Sequence, residues 1–257
     1  MKIATWNVNS VKARLETVLA WLREAAPDVV CFQEIKCEDA GFPSLAFADL
    51  GYNVATHGQK SYNGVAILSK LPFDDVIPKL PDGEGDDHAR YLEAVVGGTR
   101  IASIYLPNGN PAGTDKFAYK LAWMDRLIAH ARWLLVNEER LVLCGDYNVI
   151  PQPVDARFPE NWVSDALFQP ETRARFRTLM NLGFADALRV LHPEAGHFTF
   201  WDYQAGAWQK NNGIRIDHIL LSPQAADRLR GVAIAKHVRA WEKPSDHVPV
   251  IADFASG

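Results

Sequence analysis

The sequence is poor in cysteine. Three residues, Cys31, Cys37 and Cys144, are scattered through 257 positions, which excludes a disulfide framework and a cysteine-rich zinc module. Cys31 and Cys144 lie in apolar runs and read as small core residues, as expected of a protein kept in a reducing cytoplasm. The chain also lacks a basic excess. Its formal net charge is −4, which argues against non-specific coating of nucleic acid, since that binding runs on surplus Lys and Arg. No apolar run approaches a membrane span. The start, M-K-I-A-T-W-N, enters a strand pattern directly, so neither a membrane association nor a secretion signal is expected.

Other absences concern chemistry. There is no G-x-S-x-G elbow and no cysteine in a polar, exposed setting, so a serine or cysteine nucleophile is not expected. A phosphate-cradling G-x-x-x-x-G-K-S/T loop is missing as well. No Gly/Ser linker or low-complexity stretch divides the chain. With 48% hydrophobic residues, residues 1–257 are expected to form a single domain with a sizeable core.

What is present alternates short β-rich runs with helical spacing. Strands are predicted at 3–8, 29–32, 64–68, 91–96, 101–106, 141–144, 215–221, 232–238 and 248–254. Gly97-Gly98-Thr99-Arg100 reads as a hairpin turn. Helices are predicted over 11–25 with Ser10 as N-cap and Pro27 as stop, over 115–136, and over 171–182 with Gly183 as C-cap. The apolar stripe of the second helix comprises Phe117, Leu121, Met124, Leu127, Ile128 and Ala131. Hairpins mixed with strand–helix units predict two β-sheets packed face to face with helices outside. The long irregular stretch 150–166, with three prolines, reads as a functional loop.

Polar residues gather where the apolar strands finish. Trp6-Asn7-Val8-Asn9 ends one strand, Phe32-Gln33-Glu34 the next, and Tyr105-Leu106-Pro107-Asn108 another. Gly145-Asp146-Tyr147-Asn148 closes the run from Leu141. Arg215-Ile216-Asp217 opens a later strand, and Ser245-Asp246-His247 precedes the last. Each has a plain explanation: a turn, a cap, a solvated carboxylate, or an Asp217–Arg215 pair. Together they require six separate coincidences, whereas sheet ends hold side chains rigidly around one point. Carboxylates gathered there repel one another unless a cation sits among them. An oxygen-rich donor set with a single His suits Mg²⁺, with Mn²⁺ as a substitute, better than zinc. Such a set fits hydrolysis of a phosphate ester.

The blocks A-T-W-N-V-N-S at 4–10, F-Q-E-I-K at 32–36, N-G-V-A-I-L-S at 63–69, Y-L-P-N-G at 105–109, G-D-Y-N-V at 145–149, T-F-W-D-Y at 199–203, N-G-I-R-I-D at 212–217 and S-D-H-V-P at 245–249 resemble the endonuclease/exonuclease/phosphatase superfamily. Within it, the chain is similar to the exonuclease III type of abasic-site (AP) endonuclease. The resemblance implies a four-layer α/β sandwich with one site at the end of two mixed sheets. It implies that Glu34 is the principal metal ligand, with Asn7 beside it and Asp246 completing the metal environment. Asp146 would activate water, with Asn148 orienting it. Tyr105 and His247 would stabilise the phosphate, and Asp217 would orient His247. Asn108 would contact a DNA phosphate, and Trp201 and Ile216 would line a pocket for a flipped-out abasic sugar. Ile214 stands where some relatives carry an aromatic.

The expected activity is incision of duplex DNA 5′ to abasic sites, leaving a 3′-hydroxyl, with 3′→5′ exonuclease action and cleaning of blocked 3′ ends. The expected partner is double-stranded DNA bearing such lesions, and the expected state is a monomer. The alternatives are a phosphoesterase of the same superfamily acting on RNA or a small phosphate ester, and a non-catalytic DNA-binding protein on the same fold.

Overall fold

The computed structural model describes residues 1–255. Its strands are β1 (Lys2–Asn7), β2 (Val29–Gln33), β3 (Asn53–His57), β4 (Val65–Ser69), β5 (Asp75–Ile77), β6 (Tyr91–Val96), β7 (Thr99–Tyr105), β8 (Arg140–Asp146), β9 (Ala185–Asp186), β10 (Asp217–Leu221), β11 (Leu229–Ile234) and β12 (Val250–Phe254). Its helices are α1 (Leu15–Ala25), α2 (Ser44–Ala48), α3 (Asp115–Leu135), α4 (Pro170–Met180), α5 (Ala187–Leu191) and α6 (Pro223–Ala226). One six-stranded sheet runs β11-β12-β1-β2-β4-β3 and the other β5-β6-β7-β8-β10-β9. Both are mixed: β1 and β2 are parallel, as are β7 and β8, and the other pairings are antiparallel. No helix among the described residues is long and apolar enough to cross a membrane.

Strand alternation sorts the core into layers. Ile3, Val29, Cys31, Ile101, Val142, Cys144 and Ile219 point between the sheets. Ala4, Trp6, Val30 and Phe32 point outward and pack under α1 with Val18, Trp21 and Leu22. Leu141, Leu143, Ala102 and Ile104 point the other way, against Trp123, Met124 and Leu127 of α3 and Phe176 of α4. The result is the expected four-layer α/β/β/α sandwich.

That phase also aims the strand ends. Asn7 follows Ile3 and Thr5, Asp146 follows Val142 and Cys144, and Asp217 precedes Ile219. All three therefore point into the space between the sheets. In one sheet Tyr105, Asp146 and Asp217 are direct neighbours across β7, β8 and β10. In the other, Asn7 lies beside Gln33. Gly145 makes the close approach: a Cβ there, at φ 152°, would sit 1.9 Å from the Ile104 carbonyl oxygen. A polar bridge ties the sheets beneath the rim. Gln33 donates to Ser103 Oγ at 3.0 Å and Ser103 donates to the Phe32 carbonyl at 3.0 Å.

Several local expectations need correction. Helix α1 begins at Leu15, not Val11, and Ser10 is not its cap. Ser10 has φ 85° and belongs to the turn leaving β1. Helix α4 is capped at Asn181, not Gly183. The buried stripe of α3 is rotated from the predicted one and includes Lys120 and His130, while Phe117 and Leu121 are only partly buried. Strand β11 ends at Ile234, and a 3₁₀ turn (Lys236–Ala240) follows. The edge strands β3, β5 and β9 and the short helices α2, α5 and α6 carry too few residues for a periodic signal. The 150–166 stretch holds two 3₁₀ turns. It is anchored by buried Asp155, which accepts from Arg215 Nε at 2.7 Å. Arg215 Nη1 donates to Asp186 at 2.8 Å, so its side chain is turned to Asp155 and Asp186 and not to Asp217.

Candidate active site

The centre of the rim is a shared amide. Asn7 Nδ2 donates to Glu34 Oε1 and to Asp146 Oδ2, both at 2.9 Å. One residue past β2, Glu34 turns its side chain toward Asn7 by adopting φ 50°. Its other oxygen pairs with Lys36 Nζ at 2.9 Å. Burial opposes ionisation of Glu34, but the Lys36 charge and the Asn7 and Lys36 hydrogen bonds hold its pKa below the usual range.

Asp146 and Asn148 share one turn. Asp146 Oδ1 accepts the Asn148 backbone amide at 2.9 Å. Asn148, at φ 46°, directs its side-chain amide to the Leu106 carbonyl at 2.9 Å, and its Oδ1 accepts from the exposed Asn108 at 3.2 Å. Burial, with the Asp217 charge adding to it and His247 opposing, pushes the Asp146 pKa up to about 7.

His247 completes the other side. Its Nδ1 lies 2.8 Å from Asp217 Oδ2, and its Nε2 lies 3.7 Å from Asp146 Oδ2. A carboxylate only accepts, so Nδ1 carries a proton. Burial favours the neutral ring, yet the Asp217 and Asp146 charges outweigh it and raise the His247 pKa to about 10. The ligating atoms of Asp146, Asp217 and His247 all lie within 4.8 Å of one another. Asp246 precedes His247 in the irregular segment before β12, and the two side chains take different partners. Asp246 Oδ1 accepts from Asn9 at 3.1 Å, and Asn9 Oδ1 accepts from Lys36 at 2.6 Å. Asp246 therefore reaches Glu34 through two intermediaries. Tyr105 sits partly buried at the rim. Burial and the Glu34 and Asp146 charges keep its hydroxyl protonated well above the ordinary range, and the Arg90 guanidinium lies 4.8 Å from its ring centre.

A model of the endonuclease/exonuclease/phosphatase family matches residues 4–247. The chain belongs to that family. It is 34% identical over 266 residues to exodeoxyribonuclease III of Haemophilus influenzae, covering 99% of this chain and all of that one. It is 32% identical to the DNA repair nuclease APEX1 of Danio rerio, over 97% of this chain and 81% of that one. Among solved structures it superimposes on the 3′ phosphatase NExo from Neisseria, bound to a product DNA hairpin, with TM-score 0.97 and 39% identity over the whole of both chains. An AP endonuclease from Archaeoglobus fulgidus matches with TM-score 0.96 and 37% identity, again over both chains. Within the family the chain stands with the exonuclease III type.

The donor set fits a divalent cation. Buried carboxylates of Asp146 and Asp217 face each other across His247, with the Glu34 carboxylate one amide away. The donors are chiefly hard oxygens.

One expected residue is misplaced. Trp201 is fully buried among Phe198, Trp208 and Val248, with its Nε1 donating to Asn211 at 3.2 Å, so it presents no face to a ligand. Its neighbour Phe200 is the partly exposed ring, edge-on to His247 with centroids 5.0 Å apart. Alternation along the T-F-W-D-Y block could have revealed this, because adjacent residues face opposite ways. Ile216 is also buried, in a cluster with Ile150, Leu167 and Ile214. The sequence assigns no role to Lys36, Arg90 or Lys120, and it places Asn9 at the strand end without a role. Lys120 is the most unusual. It is fully buried on α3 and donates to the carbonyls of Asn148 at 2.6 Å and Asn108 at 3.0 Å. Burial lowers its pKa to about 7. A lysine within an apolar helical stripe was its only sequence signal.

Proposed function

We propose that this protein is a Mg²⁺-dependent DNA-repair phosphodiesterase that incises duplex DNA 5′ to abasic sites, leaving a 3′-hydroxyl, and that also trims 3′ ends. The observation that carries this reading is the Asn7 amide joining Glu34 to Asp146, with the Asp217–His247 pair alongside. The names of the relatives, an exodeoxyribonuclease III, a 3′ phosphatase and an AP endonuclease, support the same substrate class.

The roles follow from the donors. Asp146, with its raised pKa, accepts the proton of the attacking water, and Asn148 orients that water by hydrogen bonding. The His247 imidazolium, held by Asp217, donates Nε2–H to a non-bridging phosphate oxygen, and the Tyr105 hydroxyl donates to another. Asn108, exposed beside Asn148, binds a flanking phosphate. Glu34 and Asn7 would hold the cation directly, and Asp246, set behind Asn9, would complete its surroundings. When bound, Mg²⁺ neutralises phosphate oxygens and the departing oxyanion. Phe200 replaces Trp201 as the aromatic wall beside His247, while Ile216 supports that wall from behind. The protein acts as a monomer in the cytoplasm.

The test compares a duplex bearing one abasic-site analogue with an intact duplex, with Mg²⁺ and with chelator. Selective, Mg²⁺-dependent nicking 5′ to the analogue is expected. Equal cutting of both duplexes would point to a different phosphoester substrate. Glu34→Gln should abolish cleavage while retaining DNA binding; retained cleavage would remove Glu34 from the metal site.

A further inference from the structure

A second group of metal-ligating side chains lies apart from the strand ends and shares no residue with them. The hexapeptide His192-Pro193-Glu194-Ala195-Gly196-His197 leaves the end of α5. His192 Nδ1 lies 3.4 Å from Glu194 Oε1, and His197 Nε2 lies 2.8 Å from the same oxygen. The two rings are 5.2 Å apart between centres, and one ligand atom from each of the three residues falls within 4.8 Å of the others. Two imidazole nitrogens and a carboxylate oxygen thus converge on one point, the nitrogen and oxygen donor types that a transition dication takes.

The loop is held in this shape from below. Arg189 of α5 donates to the carbonyls of His192 at 3.1 Å and Glu194 at 2.6 Å, and it is itself fixed by a salt bridge to buried Asp155. Beside the histidines opens a cavity of about 270 Å³, walled also by Leu188, Phe198, Val232 and Lys236.

We propose that His192, Glu194 and His197 form a binding site for a first-row transition dication, with Zn²⁺ the intended occupant. Tetrahedral zinc at about 2.0 Å from nitrogen and carboxylate oxygen places ligand atoms roughly 3.3 Å apart; Glu194 Oε1 lies 3.4 Å from the His192 nitrogen and 2.8 Å from that of His197, so a small outward shift of His197 completes the fit. Two nitrogens and one oxygen select zinc over Mg²⁺, which demands oxygen donors and near-octahedral geometry. A fourth position would be left to water. The ion would tie the end of α5 to the segment entering Thr199 and Phe200. Thr199 Oγ1 accepts the backbone amides of Ile216 and Asp217 at 3.2 Å, and Phe200 lies against His247. The site is therefore a clamp on the segment that supports the strand-end cluster, with no part in the chemistry itself.

The test is calorimetric titration of the intact protein with Zn²⁺ in a large excess of Mg²⁺, which occupies the oxygen-rich cluster. One equivalent of Zn²⁺ should bind and raise the thermal midpoint. His192→Ala and His197→Ala should each weaken that binding by roughly a factor of ten or more and remove the thermal shift. Both variants should keep their far-ultraviolet circular dichroism and their Mg²⁺-dependent cleavage. Co²⁺ should give visible d–d bands of a low-coordinate site in the parent and lose them in the variants. Undiminished Zn²⁺ affinity in both variants, or no Zn²⁺ binding under Mg²⁺ excess, would overturn the proposal.

Discussion

Asp217 and His247 meet at 2.8 Å, carboxylate to imidazole, although 30 residues separate them in the chain. The contact orients the ring with Nδ1–H toward Asp217 and leaves Nε2 facing Asp146 at 3.7 Å. A charged pair this deeply buried is costly to desolvate unless close, hydrogen-bonded geometry offsets the penalty; in the proposed mechanism its charge faces a phosphate oxygen.

Asp217→Asn should therefore impair phosphate stabilisation without disturbing the fold. Turnover on an abasic duplex is expected to drop about a hundredfold to ten-thousandfold, with the circular dichroism spectrum unchanged. A loss smaller than about tenfold would show that His247 needs no carboxylate partner.

Asp146→Asn keeps the shape of the side chain and removes its basicity. Turnover should fall by several powers of ten, on the order of a hundredfold to ten-thousandfold or more, while DNA binding persists. In the parent, cleavage should rise with pH as the Asp146 carboxyl loses its proton, since only the carboxylate accepts one from water. Single-turnover rates across pH check both statements, and the variant should lose that limb of the profile.

Lys120→Met removes the ammonium that holds the Asn108 and Asn148 carbonyls together. The two loops should loosen, and turnover should fall about tenfold to a hundredfold from misplacement alone. A normal rate with an unchanged melting curve would show that these loops position themselves.

His218 provides a pH test of stability. It is buried, its Nε2–H donates to the Val149 carbonyl at 3.0 Å, and its Nδ1 has no partner among the described residues. Burial lowers its pKa from 6.5 to about 4. Between those values the unfolded chain takes up a proton that the folded chain refuses. Stability from this group is thus complete above about pH 6.5 and is lost as pH falls toward 4, by about 3 kcal/mol. From about pH 6.5 to 4 the parent should lose stability relative to His218→Phe by about that amount in denaturation experiments, because the variant lacks this acid sensitivity. Parallel curves would contradict it.

Much of the site was legible in the sequence because strand alternation is local. Once Val142 and Cys144 are read as inward, Asp146 must be inward too, and the same holds for Asn7 after Ile3 and Thr5. The helix boundaries were less legible. Ser10 resembles an N-cap, yet the chain first makes a left-handed turn beneath Glu34, and only the partner strand reveals that. Trp201 reads as a ligand wall because a bulky aromatic in a polar block invites a ligand, whereas its burial is completed by Val248, distant in sequence, together with nearby Phe198. Lys120 had only a weak signal, because its partners are backbone carbonyls of two loops.

The sequence by itself determined the class of fold, the polar residues at the strand ends and the oxygen-rich character of the cation site, since periodicity and residue type are properties of short segments. Only the tertiary structure decided that one amide of Asn7 serves both Glu34 and Asp146, that Asp246 stands off behind Asn9, and that Phe200 rather than Trp201 flanks His247. Those relationships depend on how two twisted sheets pack face to face. That packing is set by the summed fit of the core between them, which no single stretch of chain encodes.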